Sequence, residues 1–154
     1  MTAAITRPNV RLIRRIGCRG LSSTVIEGVL GSMAPFIAVM DADMQHDETA
    51  LMRMLLELRS GETDLVVGTR YTSDGGVGDC SQRRQVISRI GTKMAHVATG
   101  TKLSDPMSGY FMITRDAFES VVRHLSGQGF EILLDIVAST SKPLTCSPTA
   151  IPGG

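Results

Sequence analysis

Two carboxylates one residue apart, Asp41 and Asp43, directly follow the apolar run Phe36-Ile37-Ala38-Val39-Met40. An unbroken run of this kind with β-branched residues predicts a strand buried on both faces, as in parallel or mixed α/β sheets. Ligands of open α/β sheets bind at the carboxyl ends of strands, so both carboxylates stand where a site is expected. Strand alternation would send them to opposite faces, but a turn lets both converge on one cation. Hard oxygen donors favour Mg²⁺ or Mn²⁺, and such ions are usually held together with substrate phosphates. Two other chemistries compete for the motif. An EF-hand loop fails, because it needs glycine where His46 stands and glutamate where Met52 stands. An aspartyl phosphatase would also place Asp-x-Asp after an apolar strand and would make the first carboxylate a nucleophile. The bland alternative is a strand followed by an acidic helix start, for which Asp47 and Glu48 suffice.

A second group of candidates is cationic. Arg70 closes the predicted strand Asp64 to Tyr71. Arg84 and Ser88 are four apart near the start of a helix predicted over Arg83 to Thr99, so they share a face where backbone donors favour anions. They make a plausible phosphate site, against the alternative of a solvated helix face. Between them, Thr72 to Ser81 carries Gly75, Gly76 and Gly78, whose spacing does not match the dinucleotide fingerprint and which is expected to form a mobile loop beside a site.

The elements that must position these residues follow from periodicity. Val10 to Arg15 is a strand candidate near an edge. Leu21, Val25, Val29, Leu30 and Met33 recur at helical spacing, with Thr24 and Glu27 as a capping box and Pro35 as terminator. Leu51, Leu55 and Leu58 predict the next apolar stripe, with Arg53, Glu57 and Arg59 in water and Gly61 as carboxyl cap. Strand, helix, strand at this spacing predicts a βαβ unit whose second strand lies parallel to the first, so Arg70 reaches the edge of Asp41 and Asp43. The turn Leu103 to Gly109 then leads into a strand Tyr110 to Ile113, a helix opening at Asp116, and an apolar segment Gly129 to Ala138.

Composition supports a globular domain. The chain has 154 residues, 42% of them hydrophobic, and 16 Lys plus Arg against 15 Asp plus Glu leave a net charge of +1, so no global field argues for nucleic acid. No run approaches a membrane span, and the first seven residues lack an apolar signal region, which predicts a cytoplasmic, non-spanning protein. Cys18, Cys80 and Cys146 fit neither a disulfide framework nor paired zinc spacing and are expected to be reduced thiols with packing roles. The predicted organisation is a disordered leader 1–9, a domain 10–143 and an unstructured tail 144–154.

Taken in order, Gly20-Leu21-Ser22-Ser23, Val39-Met40-Asp41-Ala42-Asp43-Met44-Gln45-His46, Gly68-Thr69-Arg70-Tyr71, Ser88-Arg89 and Asp105-Pro106-Met107-Ser108-Gly109-Tyr110-Phe111 resemble the dolichol-phosphate (polyprenol-phosphate) mannosyltransferases of the family-2 glycosyltransferases. The resemblance covers roughly Val10 to Pro143. It implies a GT-A fold, a Rossmann-like three-layer α/β/α sandwich typical of nucleotide-diphospho-sugar transferases. It also implies that Asp41, Asp43 and Gln45 bind a divalent cation, Mg²⁺ or Mn²⁺, that holds the donor diphosphate. Arg70, Arg84 and Ser88 would receive the acceptor phosphate, Ala42 and Asp105 would contact substrate, and Asp43 and Arg70 would act in catalysis.

The implied reaction is metal-dependent, inverting transfer from GDP-mannose to dolichyl or polyprenyl phosphate, with UDP-glucose as the alternative donor. The enzyme would touch the membrane peripherally through its lipid acceptor. Family members open with a strand, an Asn-Glu loop, a helix and a second strand that read the nucleotide, and no such pattern precedes Val10. The chain is therefore expected to be an internal fragment of the fold lacking its first βαβ part, with an inactive remnant as a further alternative.

Asp41→Asn and Asp43→Asn are each expected to weaken Mn²⁺ binding by roughly tenfold or more, since each removes a charged oxygen ligand. Calorimetric titration of Mn²⁺ with nucleotide checks this; unchanged affinity in both variants would leave only an acidic strand-to-helix junction.

Overall fold

The structure, a computed structural model of the chain, describes residues 8–17, 20–40, 48–69 and 108–150. In chain order it contains α1 (Leu21–Leu30), β1 (Phe36–Val39), α2 (Thr49–Arg59), β2 (Leu65–Thr69) and β3 (Phe111–Thr114). Then come α3 (Arg115–Val121), a 3₁₀ turn (Val122–His124), α4 (Ile132–Ser139) and β4 (Cys146–Ala150).

The described strands form one sheet in the order β1-β3-β2-β4. β3 runs antiparallel between β1 and β2, pairing Ala38 with Met112 on one side and Val66 with Met112 on the other. β4 lies parallel to β2, with Val66 opposite Ser147. Hence β1 and β2 point the same way, as the helical crossover requires, but they do not touch, and the sheet is mixed.

Alternation along the strands sorts side chains to two faces. Ile37, Leu65, Val67, Phe111 and Ile113 join Val29 of α1, Ala117, Phe118 and Val121 of α3, and Ile132, Leu133, Ile136 and Val137 of α4. Val66, Tyr110 and Met112 face Ala50, Met54 and Leu58 of α2. The result is the expected three-layer α/β/α arrangement. α3 starts at a capped end, where the Thr114 hydroxyl accepts from the Ala117 N–H at 3.3 Å. α2 ends as expected at Gly61, whose N–H donates to the Leu58 carbonyl.

Several sequence expectations are corrected. β1 is an outer strand, with Ile37 buried and Ala38 exposed, because the antiparallel β3 takes the central place beside β2. Val10 to Arg15 forms no strand; Arg11 and Arg15 reach α1 instead, Arg11 Nη1 donating to the Gly31 carbonyl at 3.0 Å. The capping box does not form. α1 starts at Leu21 with Gly20 as its N-cap, and Glu27 pairs with Arg15 Nε at 2.9 Å. α1 also stops at Leu30, leaving Met33 exposed. On α2 the buried stripe is Ala50, Met54 and Leu58, with Leu51 and Leu55 at its margin. Glu57 is half-buried and accepts from the Thr149 hydroxyl at 3.1 Å, rather than facing water. The tail predicted as unstructured supplies β4, whose Pro148 is compatible with an outer strand.

Two substitutions test this packing in opposite directions. Phe118 is fully buried, so Phe118→Ala should cost about 3–5 kcal/mol in denaturant unfolding. The fully buried Ser22 hydroxyl has no hydrogen-bond partner. Ser22→Ala should therefore be neutral or stabilise by roughly 1 kcal/mol, and a clear loss of stability would reveal a partner for that oxygen.

Candidate functional site at the carboxyl edge of the sheet

The register defines one edge to which the motif-bearing segments attach. Val39 and Val67 both pair with Phe111, so the carboxyl ends of β1 and β2 and the amino end of β3 lie together. Thr69 pairs with Ala150, which adds the end of β4. Residues 41–47 follow β1 from this edge, and residues 70–107 leave β2 and rejoin β3 at it. Asp41, Ala42, Asp43, Gln45, Arg70, Arg84, Ser88 and Asp105 all belong to those two segments and lie outside the described residues. So do the expected loop Thr72 to Ser81 and the expected helix Arg83 to Thr99.

Ser108 fastens the described side of the edge. Its hydroxyl donates to the Gly68 carbonyl at 2.8 Å and accepts from the Tyr110 N–H at 3.2 Å. The Gly68 N–H donates to the Tyr110 carbonyl at 2.9 Å, so the departure of one motif segment and its return are bonded to each other.

The same edge gathers helix amino termini. The Gly31–Pro35 connection joins the end of α1 to the start of β1, which is paired with Thr114 at the far edge; α1 therefore begins at the near one. There the Arg15 guanidinium donates to the Gly20 carbonyl at 3.2 Å and to the Ser23 hydroxyl at 2.7 Å, and also to the Thr24 hydroxyl. The loop before α4 meets this terminus, because the Ser22 N–H donates to the Gly129 carbonyl at 3.3 Å. Gly127 and Gly129 sit at φ 63° and 84°, where side-chain-bearing residues are strained. The loop is held from behind by the buried Asp135, whose Oδ2 accepts from the Ser126 N–H at 2.9 Å and from its hydroxyl at 2.8 Å. Sequence reasoning missed Asp135. Its signal was an aspartate inside the apolar stretch Ile132-Leu133-Leu134-Asp135-Ile136-Val137, where a charge needs partners.

Elsewhere, a groove of about 380 Å³ runs between α1 and β1, lined by Val25, Val29, Phe36, Ile37 and Val39 among others. Its exposed lining is polar and apolar in nearly equal measure and offers no carboxylate. Among the described residues no group of three or more His, Cys, Asp or Glu could hold a metal, and no helix is long and apolar enough to cross a membrane. Cys146 packs against the core, as expected of a structural thiol, and its pKa is raised to about 11, by burial first and by the Asp64 carboxylate second.

A mixed sheet with helices on both faces, and with its chain crossings gathered at one edge, is part of a GT-A fold of the glycosyltransferase type. Over 95% of its length the chain superposes on 48% of glucosyl-3-phosphoglycerate synthase from Mycobacterium tuberculosis, solved with phosphoglyceric acid, with a TM-score of 0.56 and 16% identity. A second mycobacterial protein gives a TM-score of 0.58 at 15% identity, with 96% of this chain and 46% of that one covered. The chain belongs to glycosyl transferase family 2, whose profile matches residues 2–122.

Curated relatives in the family are named dolichol-phosphate mannosyltransferase. That of Mycosarcoma maydis is 39% identical over 86% of this chain and 44% of its own length. That of Saccharomyces cerevisiae is 35% identical, with 88% and 50% covered, and that of Pyrococcus furiosus 32%, with 83% and 36% covered. The chain thus spans half or less of the length of these relatives.

Asp135→Ala should cost roughly 1–3 kcal/mol, because two donors of Ser126 lose their acceptor; thermal unfolding checks this. In a Cys18→Ser, Cys80→Ser background, Cys146 should react with a thiol reagent at pH 8 about a hundredfold more slowly than a thiol of pKa 9.0, since the reactive thiolate is scarcer by that factor. Reaction at the ordinary rate would show an opened β4.

Proposed function

We propose that this chain forms part of an enzyme that transfers a mannosyl group from GDP-mannose to dolichyl or polyprenyl phosphate, with inversion at the anomeric carbon. The observation that carries the reading is the common edge. The Asp-x-Asp segment and the arginine-bearing segment attach to strands that end on the two flanks of Phe111, at Val39 and Val67. That donor-binding oxygens and acceptor-binding cations should meet there is supported by the names of the relatives and by the ordered motifs.

In this reading Asp41, Asp43 and Gln45 supply the oxygen ligands of Mg²⁺ or Mn²⁺, a donor set suited to a hard cation. Such an ion, when bound, offsets charge on the departing diphosphate. Arg70, Arg84 and Ser88 bind the acceptor phosphate, and the two guanidiniums counter the repulsion between that phosphate and the diphosphate. The acceptor oxygen is already anionic, so it needs little help from a general base and no covalent enzyme intermediate is required. Ala42 and Asp105 contribute further substrate contacts. Peripheral placement at a cytoplasmic membrane face follows from a lipid acceptor and a soluble donor.

The test is an assay with labelled GDP-mannose or UDP-glucose and polyprenyl phosphate. It compares this chain with a chimera carrying the front half of the Saccharomyces cerevisiae relative. Mannolipid made by the chimera is the expected product; glucolipid instead would sink the donor assignment, and no lipid product from either donor would sink the reading. In the active protein, Arg84→Ala should raise the KM for polyprenyl phosphate roughly ten- to a hundredfold and leave the donor KM nearly unchanged. A larger effect on the donor would mean that Arg84 serves the diphosphate.

A further inference from the structure

A side-chain hydroxyl stands inside the last rung between β2 and β3. The two strands run antiparallel with Val66 opposite Met112, and in such a ladder every second pair exchanges two backbone bonds. The Thr114 N–H donates to the Asp64 carbonyl at 3.0 Å, so Gly68 and Tyr110 fall on the bonded parity. The Gly68 N–H donates directly to the Tyr110 carbonyl at 2.9 Å. The return bond runs through Ser108, whose hydroxyl accepts from the Tyr110 N–H at 3.2 Å and donates to the Gly68 carbonyl at 2.8 Å. Its one proton favours that carbonyl over the one of Tyr110, which lies at 3.1 Å and already accepts from Gly68.

The inserted oxygen lies on the outward side of the pair. Gly68 continues through its carbonyl to Thr69 and Arg70, and Tyr110 is reached through its N–H from Ser108 and Gly109. A direct bond holds nitrogen and oxygen about 3 Å apart, whereas a relay through a hydroxyl admits a wider gap. The pair is therefore closed toward the sheet and parted toward the carboxyl edge, where β2 goes on to Thr69 with β4 as its partner.

We propose that Ser108 is a positioning residue for the transfer reaction: its hydroxyl parts β2 from β3 at the last rung and so fixes the direction in which the chain leaves Thr69 for Arg70. This rests on the reading that Arg70 receives the acceptor phosphate. Ser108 acts through Arg70, the second residue beyond the carbonyl it holds, and touches no substrate itself. A guanidinium meets a phosphate in a fork of fixed geometry, so a small change in the exit direction weakens the contact. Without the hydroxyl, the Tyr110 N–H bonds the Gly68 carbonyl directly, which closes the rung and preserves the sheet.

The experiment titrates the full chain with farnesyl phosphate, a soluble polyprenyl phosphate, by calorimetry and follows thermal unfolding of the same variants. Ser108→Ala should bind about tenfold more weakly with its Tm nearly unchanged, and Ser108→Thr, which keeps the hydroxyl, should stay close to wild type. Thr114→Ala is the control, since it removes a hydroxyl-to-amide bond at the far edge; it should lower Tm and leave affinity unchanged. Wild-type affinity in Ser108→Ala, an equal loss in Ser108→Thr, or a loss in Thr114→Ala as large as that in Ser108→Ala overturns the proposal.

The acceptor reading fails separately. Binding that Arg70→Ala does not weaken, or no binding by the wild type, removes that reading and the positioning role with it. Binding that needs Arg70 but not the Ser108 hydroxyl leaves the reading standing and removes the positioning role alone.

Discussion

The hydrogen bonding of β3 on both of its sides is the constraint on which the rest of the structure depends. One short strand pairs Phe111 with Val39 on one flank and with Val67 on the other. Its antiparallel direction means that its amino end meets two carboxyl ends, so the chain must enter β3 where it leaves β1 and β2. A parallel β3 would carry its approach to the opposite edge and separate the Asp-Pro-Met-Ser-Gly turn from the Asp-x-Asp segment. Ser108 reinforces the junction by bonding the Gly68 carbonyl, at little cost in entropy because the backbone around it is already fixed.

A second layer of support lies beneath that edge. The far edge is closed by Arg115, whose guanidinium binds the Ala34 carbonyl at 2.7 Å and the Ser32 carbonyl at 2.8 Å, fastening the turn between α1 and β1. The near edge is closed by the contact of Gly129 with Ser22, backed by Asp135. Polar groups thus fix both ends of α1, while its middle is fixed by Val29 in the core. Among the described side chains, the Ser22 hydroxyl is the one buried polar group left without a hydrogen-bond partner.

The strand β1, outermost on its side among the described strands, is only partly covered. Ala38 is exposed, Met40 is 45% exposed, and Leu30 and Met33 at the end of α1 are 60% and 90% exposed. Among the described strands β1 has a neighbour on one side only, and such an edge beside exposed apolar residues favours association. Val10 to Arg15, read from the sequence as a strand near an edge, pairs with no described strand, because Arg11 bonds the Gly31 carbonyl and Arg15 bonds Glu27 instead.

What the sequence determined by itself were the elements and the chemistry of their ends. Apolar runs located β1, β2 and β3, and helical spacing located α1 and α2, since local burial patterns need no knowledge of neighbours. The order of motifs, from Gly-Leu-Ser-Ser through Asp-Ala-Asp to Asp-Pro-Met-Ser-Gly-Tyr-Phe, pointed to the family that the comparisons bear out. Tertiary structure alone decided which strand is central and which lies at the rim. An apolar run reads the same in either place, and β1 lies at the edge of the described strands because β3 takes the place between it and β2. It also decided the fate of Cys146-Ser147-Pro148-Thr149-Ala150, which looks like a tail until β2 offers it a parallel partner. Asp135 belongs to the same class: a buried acid acquires meaning only when the loop it holds through Ser126 is packed against a distant helix terminus at Ser22.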